Sequence, residues 1–256
     1  MFDIFWCVIF MLVIVIICVR KKVKYYFKFV VFCLTCVIAT SWPILFMLLR
    51  PFDWKNATIP AWQLRKMMKF MGMNFIIRGH ENIVKNSPAV VIINHQSSLD
   101  LVVLAEIWGV IENCILIAKQ EILWYSGTLG LAGILWGTVF INRKKHKESV
   151  NAMNKTGTRH SDNTLGPFKK GAFNVAISSQ APIQPIVVSK YYYIDHDKKI
   201  FNSGKSYITI LPAISTEGMT KNDLDTLMKK SYDVMNREFQ SLTNEILAKV
   251  KRETNE

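Results

Sequence analysis

The sequence predicts an α/β domain, a sheet flanked by helices, preceded by an N-terminal helical membrane anchor. Three observations predict it. Short β-branched apolar runs such as Ala89-Val90-Val91-Ile92-Ile93 alternate with segments of helical periodicity, the pattern of strands and the helices that cover them. Apolar stretches from Phe5 to Val19 and from Phe29 to Leu49 flank a basic one. The 256 residues are 50% hydrophobic with a mean hydropathy of +0.19, enough for an anchor and one domain.

Phe5–Val19 is almost wholly apolar and sits at the lower limit of a bilayer span. Asp3, the lack of a basic leader and the lack of a small-x-small site favour a retained anchor over a cleaved signal. Arg20-Lys21-Lys22-Val23-Lys24-Tyr25-Tyr26-Phe27-Lys28 has the composition of a membrane interface. Read as a loop, it belongs in the cytosol by the positive-inside rule. The second apolar stretch, broken at Ser41-Trp42-Pro43, either spans or kinks within one leaflet. These segments make residues 1–50 the anchor and 51–256 the α/β domain. Asn56-Ala57-Thr58 is a glycosylation sequon, informative only on a lumenal chain.

Residues 61–71 place apolar and basic side chains at helical spacing and predict an amphipathic helix on the membrane. Strands are predicted at Met73–Arg78, Val90–Ile93, Cys114–Ala118, Thr138–Ile141, Pro185–Val188 and Ile208–Leu211. A helix follows Leu99, and a long charged amphipathic helix runs from Asn222 to Lys251. Gly130, Gly133 and Gly137 lie at near-helical spacing, which suits close packing better than a phosphate-cradling loop.

The net charge of +13, from 32 Lys+Arg against 19 Asp+Glu, suits anionic partners such as phospholipid headgroups and phosphorylated substrates. Basic residues are scattered and no nucleic-acid-binding pattern occurs. Four of the five cysteines lie in apolar segments, and the five histidines are dispersed, so no metal or redox centre is expected.

His95 stands in the turn that follows the Val90–Ile93 strand, where α/β folds place ligands. Asp100, in the first turn of the next helix, is within reach of one imidazole nitrogen. A carboxylate-oriented His is a general base with its tautomer fixed. No Ser or Cys is placed as a third member, so a substrate hydroxyl becomes the candidate nucleophile. A capping Asp beside a turn His is the other reading of these two residues. Backbone N–H groups at the start of the helix near Ser98 are candidate oxyanion donors.

The stretch Asn94-His95-Gln96-Ser97-Ser98-Leu99-Asp100 resembles the first motif of the glycerolipid acyltransferases, above all the animal 1-acyl-glycerol-3-phosphate (lysophosphatidate) acyltransferases. Ile117–Trp124, Gly137-Thr138-Val139-Phe140-Ile141-Asn142-Arg143, Gly157-Thr158-Arg159, Pro167–Phe173 and Ala181–Ile186 resemble later family segments in the family's order. The resemblance spans roughly residues 65–225. It implies a mixed sheet and acyl transfer from acyl-CoA to the sn-2 hydroxyl of lysophosphatidate, giving phosphatidate. It implies His95 and Asp100 as catalytic residues, and Arg159, Gly157, Thr158, Arg143 and Lys169 as substrate-binding residues. It also implies acyl-CoA as co-substrate without a further cofactor or metal, and an endoplasmic reticulum membrane. Protein partners are not indicated.

One departure bears on activity. Lys155-Thr156 stand where the family has Pro-Glu, and no apolar run precedes Gly157. By comparison with the family, about fifteen to twenty residues are missing near 150–157, including a core strand and the motif's glutamate. Two further readings follow: a catalytically impaired shortened isoform, and a non-enzymatic membrane lipid-binding protein.

Overall fold

The computed structural model describes residues 2–85, 87–142 and 164–255, with side chains between Arg20 and Val250 in those ranges. Helix α1 (Phe2–Ser41) runs 40 residues without a break, about 60 Å at the rise of an α-helix. The basic stretch Arg20–Lys28 lies inside this helix, which corrects its reading as a loop. Its Tyr25, Phe32 and Ala39 are buried against the domain, and that packing holds the basic stretch helical. Arg20–Ser41 is long and apolar enough to cross a membrane. Helix α2 (Ile44–Leu48), entered through Pro43, has only five residues and cannot span.

Tyr25, Phe32 and Met47 belong to the same hydrophobic cluster as Leu99, Ile186 and Ile208. The part of the N-terminal region from Tyr25 to Met47 thus shares a core with the rest of the domain. The opposite faces of α1, α2 and α3 (Thr58–Phe70) expose Phe27, Leu34, Trp42, Phe46, Leu49 and Phe70. So many exposed large apolar side chains on neighbouring helices are characteristic of membrane contact. Met68 of α3 is fully buried, as expected of a core filler. The Asn56 amide donates to the carbonyls of Arg50 at 2.7 Å and Leu135 at 2.8 Å. Its sequon is therefore part of the packing between the N-terminal turn and helix α6 (Thr128–Leu135).

The main sheet takes strands β1 (Met73–Arg78), β2 (Val90–Ile93), β5 (Ile183–Val188) and β8 (Gly204–Ile210) in the order β1-β8-β5-β2. β1 and β8 are parallel, β8 and β5 antiparallel, β5 and β2 parallel, so the sheet is mixed. Every residue of β5 is buried: Pro185–Val188 form an apolar run, and the one polar side chain, Gln184, donates to the Leu211 carbonyl. β3 (Ile117–Lys119) and β4 (Val139–Ile141) form a separate parallel ribbon. Among the described residues, nothing pairs with the outer edge of β2.

Helix α4 (Asp100–Trp108) packs on α3, and its Val102, Val103 and Ile107 are buried. α5 (Gln120–Tyr125) packs on α6, which carries Gly130 and Gly133 into close contacts, while Gly137 lies beyond its end at a φ of 87°. A Cβ on Gly130 would sit 2.4 Å from the Leu123 carbonyl, so that position tolerates only glycine. α7 (Lys170–Ser179), the short hairpin of β6 (Ile194–Asp195) with β7 (Ile200–Phe201), and α8 (Leu224–Asn255) complete the fold. Arg78 pins α8 to β1 through a fork to Glu245 at 2.8 and 2.9 Å.

Candidate active site

The site forms where β2 ends. Asn94, buried, holds that end against β5: its side chain accepts from Val188 N at 2.7 Å and donates to Val188 O at 2.9 Å. The Gln96 amide reaches the same turn, donating to the carbonyls of Val188 at 3.2 Å and Ser189 at 3.0 Å. Between these two anchored residues the chain projects His95 outward, with 81% of its side chain exposed.

Asp100 faces back from the first turn of α4. Its Oδ2 lies 2.7 Å from His95 Nδ1 and accepts from the backbone N–H groups of Gln96 at 2.6 Å and Ser97 at 3.0 Å. Its Oδ1 accepts from the Tyr191 hydroxyl at 2.6 Å. Four donors therefore fix one carboxylate whose side chain is only 12% exposed. A carboxylate at Nδ1 places the ring proton there and leaves the lone pair on Nε2, on the far side of the ring. That is the geometry of a general base directed at solvent-borne substrate. Both readings of the pair hold at once: Asp100 caps the turn and also orients His95.

Around Ser98, the N–H groups on either side are engaged within the turn itself. The N–H groups of Gln96 and Ser97 bind Asp100, that of Leu99 binds Ser97 Oγ at 3.1 Å, and that of Asp100 binds Ser97 O at 3.1 Å. They shape the turn and point inward. The physical reason is that a buried carboxylate needs its donors more than a solvent-facing site does.

Lys169 is exposed at the N-terminus of α7. Among the described residues no contact joins it to His95 or Asp100. Arg143, Gly157, Thr158 and Arg159 lie outside the described residues, as does the shortened segment near 150–157. Asn94 and Tyr191 are contributors that sequence reasoning assigned no role. Asn94 stands inside the first motif, and an amide before a turn His is a readable signal. Tyr191 is one of three consecutive tyrosines, and nothing local marks it as the one that turns to Asp100.

An apolar cleft runs along α4. Leu101, next to Asp100, is part of its wall, and Leu104, Ala105 and Trp108 of α4 continue it against Ala39 of α1 and Leu64 of α3.

A family profile described as Acyltransferase matches residues 74–189, which hold His95, Asp100 and most of the sheet. The 1-acyl-sn-glycerol-3-phosphate acyltransferase beta of Homo sapiens is 31% identical over 248 residues, covering 90% of this chain and 88% of that protein. The chain belongs to the 1-acyl-sn-glycerol-3-phosphate acyltransferase family. The Saccharomyces cerevisiae 1-acyl-sn-glycerol-3-phosphate acyltransferase is 36% identical over 189 residues, covering 66% of this chain and 61% of its own. A crystal structure of the 1-acyl-sn-glycerophosphate acyltransferase of Thermotoga maritima shares the family's fold with this chain: TM-score 0.57, 21% identity, 85% of this chain and 97% of that one.

These matches carry a length difference. The 248 residues matched to the human protein take up 90% of this chain, about 230 residues, so about eighteen positions have no counterpart here. In the yeast match the shortfall is about twenty.

Proposed function

We propose that this membrane-anchored chain transfers an acyl group from acyl-CoA to the sn-2 hydroxyl of 1-acyl-glycerol-3-phosphate, giving phosphatidate. The observation that carries the reading is the exposed His95 ring held at 2.7 Å by a buried, four-donor Asp100. The names of the relatives supply the acceptor.

His95 Nε2 takes the proton of the acceptor hydroxyl as its oxygen attacks the thioester carbonyl. The tetrahedral intermediate collapses, the carbon–sulfur bond breaks, and the imidazolium returns the proton to the leaving coenzyme A thiolate. Asp100 stabilises the imidazolium while it exists. A positioned general base contributes about 10²–10⁴-fold. The apolar cleft along α4 is a fitting place for an acyl chain, since it begins one residue from Asp100. Arg159, Arg143 and Lys169 are the cations proposed for the acceptor's phosphate, with Gly157 and Thr158 beside Arg159. The endoplasmic reticulum is the proposed membrane.

The length shortfall favours a second reading, a chain of this family with reduced activity. No apolar run precedes Gly157 in the sequence, and among the described residues the outer edge of β2 is unpaired and the β3–β4 ribbon stands apart from the main sheet. Incubating membranes that hold this chain with labelled acyl-CoA and lysophosphatidate tests the assignment. Labelled phosphatidate is expected. Its absence, with the chain folded and present, would refute the transfer reading.

A further inference from the structure

We propose that Tyr191 is a positioning residue for the base, acting on His95 through Asp100; this rests on the acyl-transfer reading above. The Asp100 carboxylate has two unequal sides. Oδ2 serves His95 and two backbone N–H groups of its own turn. Oδ1 accepts from Tyr191 at 2.6 Å, across ninety-one positions of sequence. The backbone donors hold the carboxylate to its turn. Tyr191 holds that turn to the sheet, because it lies three residues past the end of β5.

The hydroxyl is fixed on its side as well. Tyr191 is 6% exposed, with its ring edge-on to Phe75 at 6.3 Å and tilted against Tyr193 at 6.2 Å. Burial and the neighbouring Asp100 charge push its phenol well above the ordinary tyrosine range, so it remains a donor throughout the working pH. Among the described residues, Tyr193, whose hydroxyl pairs with Ser206 at 3.0 Å, also lies against Tyr191, and Lys190 is adjacent in the chain.

Two consequences follow for His95. The carboxylate rotamer, and with it the imidazole, is set by a rigid ring in the core. The hydroxyl also draws negative charge toward Oδ1, which leaves less of it facing the imidazolium. Removing the hydroxyl therefore raises the His95 pKa and loosens the ring.

The test is Tyr191→Phe in the full chain, in detergent micelles with labelled histidine, His95 being assigned by its loss in His95→Ala. The expected result is a rise in the His95 pKa by about one unit. The acidic limb of the rate profile moves with it, and kcat falls about tenfold while the KM for lysophosphatidate stays within about twofold. In an Asp100→Ala background the same substitution should cost nothing further in kcat, because the route through the carboxylate is gone. An unchanged His95 pKa, or an equal loss in the Asp100→Ala background, would overturn the proposal. The histidine titration needs no turnover. A shifted His95 in a chain that makes no phosphatidate would sustain the positioning role and refute the acyl-transfer reading.

Discussion

Asn94 and Val188 are joined by both backbone polar groups of Val188: the asparagine side chain accepts its N–H at 2.7 Å and donates to its carbonyl at 2.9 Å. This buried clamp continues the β2–β5 ladder one residue past its end and fixes the point from which His95 departs. Asn94→Ala removes the acceptor of the buried Val188 N–H and leaves the Val188 carbonyl with the Gln96 amide at 3.2 Å, at a cost of about 1–3 kcal/mol. Against a total of about 5–15 kcal/mol that is a large loss. We expect a clearly lower melting temperature in detergent and weaker transfer. Melting at the wild-type temperature would show that the clamp is dispensable.

The fork from Arg78 and the contact from Lys249 hold the Glu245 carboxyl down to about 2, against a usual 4.5. A group depressed on folding adds stability above its unfolded pKa and loses it as pH falls. The contribution of Glu245 should therefore be complete near neutrality and disappear between about pH 4.5 and 2. The melting temperatures of wild type and Glu245→Gln, compared across that window, should converge at its acid end. A constant difference down to pH 2 would contradict the assignment.

The sheet was legible in the sequence where a strand is buried on both faces or bounded by turn residues. Val90–Ile93 is read to the residue, and Met73–Arg78 likewise. The strand expected at Cys114–Ala118 begins later, at Ile117, because only its end pairs with β4. The His95–Asp100 pair was legible because both members lie within one turn. Tyr191 was not, since its role depends on a contact across the sheet that no local pattern encodes. The course of α1 was misread for a related reason. A basic run between apolar runs looks like a loop, but buried Tyr25 and Phe32 hold it helical against the domain.

The exposed apolar faces of α1, α2 and α3 predict how the chain behaves toward membranes. Each fully buried Phe or Leu is worth about 1.5–3 kcal/mol, and salt does not screen that contribution. The chain should stay with the membrane fraction in high salt and in carbonate. Clean release by either would defeat the claim.

The shortfall of about eighteen residues against the human relative predicts a weakened enzyme. Loss of a strand from a sheet leaves an unpaired edge and removes the core side chains that the strand carried. Inserting the relative's helix-strand block before Gly157 should raise specific activity at matched membrane levels. Equal specific activity of the two chains would show that the shorter segment is harmless.

The central claim is that His95 removes a proton from an acceptor hydroxyl. The most direct measurement is the initial rate of acyl transfer from acyl-CoA to lysophosphatidate by this chain and by His95→Ala, at equal amounts of folded, membrane-held protein. The account predicts a rate at least about a hundredfold lower for His95→Ala, with membrane attachment unchanged. Equal rates for the two proteins would contradict it.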